Sequence, residues 1–253
     1  MTWTNSEHEK RGISWKFVRK GVDIIVRKLL RILLGLSIYS FGVYLTIYAN
    51  IGLAPWDCLG VGVANHTPFN YGISMTIISL VVLGIDVLLK EKIGYGTIID
   101  AILTGNFIQI FNDLNPFPTN EKLWLGVVCM LTGFVFMAIG MWIYMKEEQC
   151  CGPKDAFLVG VGKRFPKVPI GIVEVVLWAI ILLLGWLLGG PVGIGTLIST
   201  FGAGLVMQLI YSLMGFEPRD IEHRDILKTA KLLLPGSGEP VSVPGTGGKK
   251  ETG

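Results

Sequence analysis

Six long apolar runs are set into this chain, at about 29–49, 71–89, 97–112, 123–145, 170–188 and 195–215. Most of them match the roughly 20 residues that a helix needs to cross a bilayer core, and the third is short. Charged residues gather between the runs. The pattern predicts an all-α membrane protein of about six transmembrane helices. Two further apolar segments, Asp57 to His66 and Asp155 to Arg164, are too short to span. Each follows a proline, Pro55 or Pro153. Proline is favoured at the first helical position and an acid in the first turn, so both segments start as helices. They read as re-entrant half-helices, or as short helices lying in the interface.

The polar punctuation repeats. Gly35, Gly42, Pro55 and Asp57 match Gly133, Gly140, Pro153 and Asp155 at an offset of 98. After a one-residue slip, Gly72, Gly94, Gly96, Thr97, Gly105 and Gln109 match Gly171, Gly193, Gly195, Thr196, Gly204 and Gln208. An ordered series of Gly, Pro, Asp, Thr and Gln marks an internal duplication. Three spans per unit place the two units in opposite orientations, a 3+3 inverted-topology repeat of the kind found in transporters, with the substrate path at the repeat interface.

The lysines and arginines fix an expected orientation. They cluster before the first run (Lys10, Arg11, Lys16, Arg19, Lys20, Arg27, Lys28), between the second and third (Lys90, Lys92) and between the fourth and fifth (Lys146, Lys154, Lys163, Arg164, Lys167). A last group follows the sixth run (Arg219, Arg224, Lys228, Lys231), while the intervening loops hold little beyond Lys122. Both termini are expected in the cytoplasm. Residues 1–28 read as a basic amphipathic segment with Trp15, Val18, Val22 and Ile25 at helical spacing; no small-residue cleavage site follows it, so it suits an anchor rather than a cleaved leader. Residues 29–122 and 123–217 form the two membrane repeats. Residues 218–253 form a cytoplasmic tail, with an amphipathic helix expected over 221–234 and a disordered Gly-rich end.

Composition narrows the functional classes. With 51% hydrophobic and 16% charged residues, the net charge of +3 is a topology signal and not a nucleic-acid footprint. His8, His66 and His223 are scattered, and Cys58, Cys129, Cys150 and Cys151 form no Cys-x-x-Cys, so no metal or cofactor is expected. No nucleophile–base set or phosphate loop is visible, which argues against an enzyme.

The candidate substrate-binding residues are the matched ones. Pro55, Trp56 and Asp57, with Pro153 and Asp155, open the short helices. There each carboxylate can accept from exposed backbone N–H groups, or line a shared pathway and hold a cation or proton. Gly94, Gly96 and Thr97, with Gly193, Gly195 and Thr196, combine tight turns with threonines suited to N-capping the third and sixth spans, or to forming a ligand-binding turn. Glu174 stands alone among apolar residues in the fifth span, whereas Asp86 and Asp100 lie near span ends where snorkelling is cheap. Gln109 and Gln208 could hydrogen-bond across the pseudo-twofold axis as interhelical glue.

Gly-Leu-Ala-Pro-Trp-Asp at 52–57, Gly-Tyr-Gly-Thr at 94–97 and Gly-Trp-Leu-Leu-Gly-Gly-Pro-Val-Gly-Ile-Gly-Thr at 185–196 resemble the bacterial YczE/YitT-type membrane proteins. The resemblance covers about residues 30–215. It implies a multi-pass protein of the bacterial inner membrane, with transport or export suspected for some relatives. Ala54 stands where that family suggests a serine, which removes a side-chain cap. The leading expectation is a small secondary transporter or exporter of a solute or ion. The alternatives are a channel with paired half-helices and a non-transporting scaffold for a cytoplasmic partner. Glycine-rich faces at Gly185, Gly189 and Gly190 allow a homodimer without requiring one.

Overall fold

The structure, a computed structural model, describes residues 5–91, 93–117, 120–147 and 152–215, with side chains from residue 26 onward. The tail from 216, its expected helix, Cys150–Cys151 and the side chains of the basic segment lie outside the described residues. Eight helices and no strand are found among those described. They are α1 (Asn5–Tyr48), α2 (Pro55–His66), α3 (Tyr71–Leu88), α4 (Tyr95–Leu114), α5 (Leu123–Met145), α6 (Pro153–Arg164), α7 (Ile170–Leu187) and α8 (Ile194–Leu213). The basic segment and the first apolar run form one continuous helix. No proline interrupts it, and an uncapped helix continues while each residue adds a hydrogen bond.

Among the described residues, five helices are long and apolar enough to cross a membrane: Val26–Tyr48 of α1, α3, α5, α7 and α8. The expected third span, α4, has 20 residues, and at 1.5 Å per residue it is as long as the others. It falls short in hydropathy because Asp100, Thr104, Asn106, Gln109 and Asp113 are strung along it. Several of these bond to other protein groups: Thr104 donates to Asp100, Asn106 to Thr76, and, on the exposed side, Gln109 Nε2 to Asp113 at 2.7 Å.

The core is built on α1 against α5. Gly35 faces Gly140, Gly42 faces Gly133 and Ala49 faces Gly126, so one helix rises as the other falls. A Cβ on Gly140 would lie 2.6 Å from the Gly35 carbonyl oxygen, and one on Gly35 2.9 Å from that of Gly140. Only glycines permit this approach of two backbones. Ile32, Leu36, Met130, Phe134 and Ala138 are buried along the same seam. Around it α4 packs on α1 and α8 on α5, while α2 lies against α7 and α3 against α6.

Prolines start both short helices as the sequence predicts, and Ala54 gives no side-chain cap. The threonines are a correction. The N-caps of α4 and α8 are Gly94 and Gly193, and Thr97 and Thr196 sit three residues further in. The Gly193 N–H donates to Thr196 Oγ1 at 3.2 Å, so this threonine completes the helix start from inside it. The helix runs back through Gly195 because that residue is clamped: its N–H donates to the Ile51 carbonyl at 2.7 Å.

Candidate functional site

Asp57 and Asp155 occupy the same place in their short helices, but their surroundings differ. Asp57 is buried, 8% exposed, and accepts a 2.9 Å hydrogen bond from the Tyr71 hydroxyl of α3. It bonds to that phenol and not to the free N–H groups of its own helix start. Asp155 is exposed. The position matching Tyr71 is Ile170, which has no hydroxyl to offer. One carboxylate is therefore sealed and its counterpart is open.

Asp100 of α4 joins them. A Cβ on Gly152, the N-cap of α6, would stand 3.3 Å from both the Asp100 and the Asp155 carboxylate. Lys154 is the counter-cation, acting on Asp57, Asp100 and Asp155 together, and its ammonium lies 5.4 Å from the centre of the Trp56 ring. That is within cation–π range. Tyr39 of α1 is within electrostatic reach of all three carboxylates, and Tyr211 of α8 and Glu174 of α7 reach Asp155. Partial loss of water to the surrounding protein pushes the Asp155 carboxyl up to about 6, with Asp100 adding to the rise and Lys154 opposing it. Burial also raises the Asp57 carboxyl, against the pull of Lys154 and the Tyr71 bond.

Asp100 and Asp155 thus meet at the start of α6, and Lys154 over Trp56 brings the start of α2 within electrostatic reach of them. Paired charges inside a membrane protein mark ion or solute sites more often than structural ones.

A model of a family of unknown function, DUF6198, matches residues 26–212. The chain belongs to this family. Its described helices and apolar spans make it a multi-pass membrane protein, as the YczE-type resemblance implied. An uncharacterized protein of Haemophilus influenzae is 32% identical over 187 residues, 74% of this chain and 84% of that one. The uncharacterized membrane protein YczE of Bacillus subtilis is 28% identical, over 69% of this chain and 80% of its own. The uncharacterized protein YyaS of the same organism is 28% identical over 72% of this chain and 90% of its own. No solved structure matches the chain.

The other predicted residues are placed unevenly. Pro55, Trp56 and Pro153 stand beside the cluster by way of their helix starts, and Glu174, partly exposed, faces Asp155 from α7. Gly193, Gly195 and Thr196 are engaged by the protein itself: Leu53 N–H donates to Pro191 and Gly195 N–H to Ile51, which ties the loop before α2 to the start of α8. Gly96 and Thr97 are buried at the start of α4 with Gly94, one turn before Asp100. Gln109 and Gln208 do not meet. Gln109 accepts from the Gly72 N–H at 3.1 Å, whereas Gln208 is exposed. Asp86 and Asp100 do not snorkel, being 0% and 8% exposed.

Lys154, Tyr39, Tyr71 and Asp100 were not predicted as site residues. Lys154 carried a signal, since it stands where the offset of 98 puts the counterpart of Trp56 inside the second Pro-x-Asp motif. Tyr39 and Tyr71 carried none. A shallow cleft of about 300 Å³, lined by Asn50, Asn120, Glu121 and Lys122, includes no predicted site residue.

Proposed function

We propose that this chain is a small secondary transporter or exporter of a small solute or ion, moved along the interface of two inverted repeats. One observation carries the reading. Asp57 and Asp155 start short helices in different halves of the chain, and Lys154 is within electrostatic reach of both, its ammonium 5.4 Å from the centre of the Trp56 ring. Helix starts aimed at a shared polar centre are the arrangement by which broken helices hold a solute within a bilayer.

The helix contacts support the repeat. Swapping the halves turns α2 on α7 into α6 on α3, and α1 on α4 into α5 on α8; all four contacts are present. The glycine seam obeys the same exchange, because Gly35 on Gly140 becomes Gly133 on Gly42. With α4 taken as a sixth span, the basic loops fall on one side, which the lysine and arginine distribution makes cytoplasmic. Asp155 and the cytoplasmic ends of α6, α7 and α8 then share that side.

The test is thermal unfolding of the purified full-length protein in detergent against a panel of solutes and ions. A ligand that binds only the folded state stabilises it by about 2.7 kcal/mol at a hundredfold excess over its dissociation constant. The expected result is a stabilising solute whose effect disappears in Asp57→Asn or Asp155→Asn. Stabilisation that survives both substitutions would remove the carboxylates from the site. A saturating panel without any response from folded protein would favour the scaffold reading.

A further inference from the structure

The two repeats share the seam glycines and glutamine, differ at Thr76 and Asn106 against Val175 and Leu205, and hold the seam in different states. In the first, α3 is closed on α4. A Cβ on Gly105 would lie 2.6 Å from the Gly72 carbonyl oxygen, and one on Gly72 2.8 Å from that of Gly105. Gly72 N–H donates to Gln109 Oε1 at 3.1 Å, and Asn106 Nδ2 donates to Thr76 at 3.3 Å. In the second, the matched Gly171 and Gly204 have nothing within 4 Å of a built Cβ, and Gln208 is exposed. Val175 and Leu205, which match Thr76 and Asn106, are 61% and 68% exposed.

The difference extends to the carboxylates. The closed seam includes Tyr71, the first residue of α3, which covers Asp57. Glu174 of α7 and Tyr211 of α8, on the two helices of the open seam, are within electrostatic reach of Asp155. The α7 and α8 helices are joined by a short loop at one end, and toward the other, at Gly171 and Gly204, a built Cβ on either meets nothing within 4 Å.

The geometry points to a pair of alternating gates: α3–α4 closed over Asp57 and α7–α8 open form one end state of a cycle, and the other end state exchanges them. In that second state α7 closes on α8 through Gly171 and Gly204, Gln208 accepts from the Gly171 N–H, and α3 leaves α4. The chain already holds the residues for both closures. Both repeats hold a glycine-lined seam and a glutamine able to accept from the first-turn N–H, although only the first adds a Thr76–Asn106 hydrogen bond. Two arrangements of the same residues, each biased by solute, constitute a two-state element. On the expected orientation the present state is open to the cytoplasm. This inference rests on the transporter reading and specifies how its site is reached.

The test uses the full-length chain in membrane vesicles, with its four cysteines replaced by serine or alanine and unchanged thermal unfolding confirmed. Two pairs are introduced, Thr76→Cys with Asn106→Cys and Val175→Cys with Leu205→Cys, and then all four together. Bismaleimides of graded length and an oxidant are applied, and products are separated by mobility and mass. The first pair is expected to cross-link at once within one chain. The second is also expected to cross-link within one chain, and in the four-cysteine protein only one of the two links forms per molecule. No link at Val175–Leu205 with the shortest reagents, while Thr76–Asn106 reacts, would overturn the exchange. So would both links in the same molecule. A link between two chains at Val175–Leu205 would overturn it in favour of a face covered by a second copy. Solute binding at Asp57 and Asp155 is scored separately by the unfolding panel, so the gates can fail while the site stands.

Discussion

Gly42 of α1 lies so close to Gly133 of α5 that a methyl group on either would sit 2.6–2.7 Å from the carbonyl oxygen of the other. The same contact recurs between Gly35 and Gly140, two helical turns away. These glycines set the distance between the two halves of the protein, and the polar cluster stands beside the seam they make, with Tyr39 on the same helix.

Substitution here should therefore separate the halves. Gly42→Val and Gly133→Val are expected to destabilise the protein by about 1–3 kcal/mol, the usual cost of overpacking a tight contact. Unfolding in detergent checks this. Gly84, which has nothing within 4 Å of a built Cβ, should accept alanine with little change.

The two glutamines should behave differently. Gln109→Ala removes the acceptor of the Gly72 N–H and is expected to cost about 1–3 kcal/mol, as for a buried donor left without a partner. Gln208→Ala, on an open seam, should leave thermal stability almost unchanged. Equal losses at both positions would mean that the second seam is closed in solution.

Asp155 should make stability depend on pH. Its carboxyl is raised from 3.8 to about 6, so the folded protein favours the protonated form. A group raised in this way contributes stability that is full below about pH 4 and is lost as pH rises through about 6. Asp155→Asn should thus match the parent at pH 4 and exceed it in melting temperature at pH 7.5. A difference that does not change with pH would show that Asp155 titrates as an ordinary surface acid.

Lys154 should matter most when the carboxylates are charged. Lys154→Gln removes the one cation that acts on Asp57, Asp100 and Asp155 among the described residues, so melting should fall at pH 7.5. The loss should shrink at pH 5, where Asp155 takes up a proton. Melting curves of the variant and the parent at the two pH values decide the matter.

Much of the fold was legible in the residues. Apolar runs of bilayer length mark helices because an unpaired backbone cannot exist in hydrocarbon. Pro55 and Pro153 mark helix starts because proline lacks the N–H that such a start leaves unused. The offset of 98 to 99 marked matched positions, and Gly35, Gly42, Gly133 and Gly140 proved to be matched in contact as well. The α4 helix resisted hydropathy because several of its polar side chains bond to other protein groups, which an average over the sequence cannot register.

The sequence by itself determined the helical class, the short helices opened by Pro-x-Asp, and the list of paired positions. Those are local properties, set by residue type, spacing and the absence of water in the bilayer. Only the tertiary structure decided which members of each pair are alike in use. Asp57 is sealed because α3 brings Tyr71 to it, and Asp155 is open because Ile170 carries no hydroxyl and α7 stands away from α8. Gln109 is bonded and Gln208 is not, although Gly72 and Gly105 beside the first match Gly171 and Gly204 beside the second. Lys154 became the centre of the site by folding across to Trp56, 98 positions before it in the chain. Equal residues differ in role when the helices carrying them are packed differently, and helix packing is a long-range choice that no window of sequence contains.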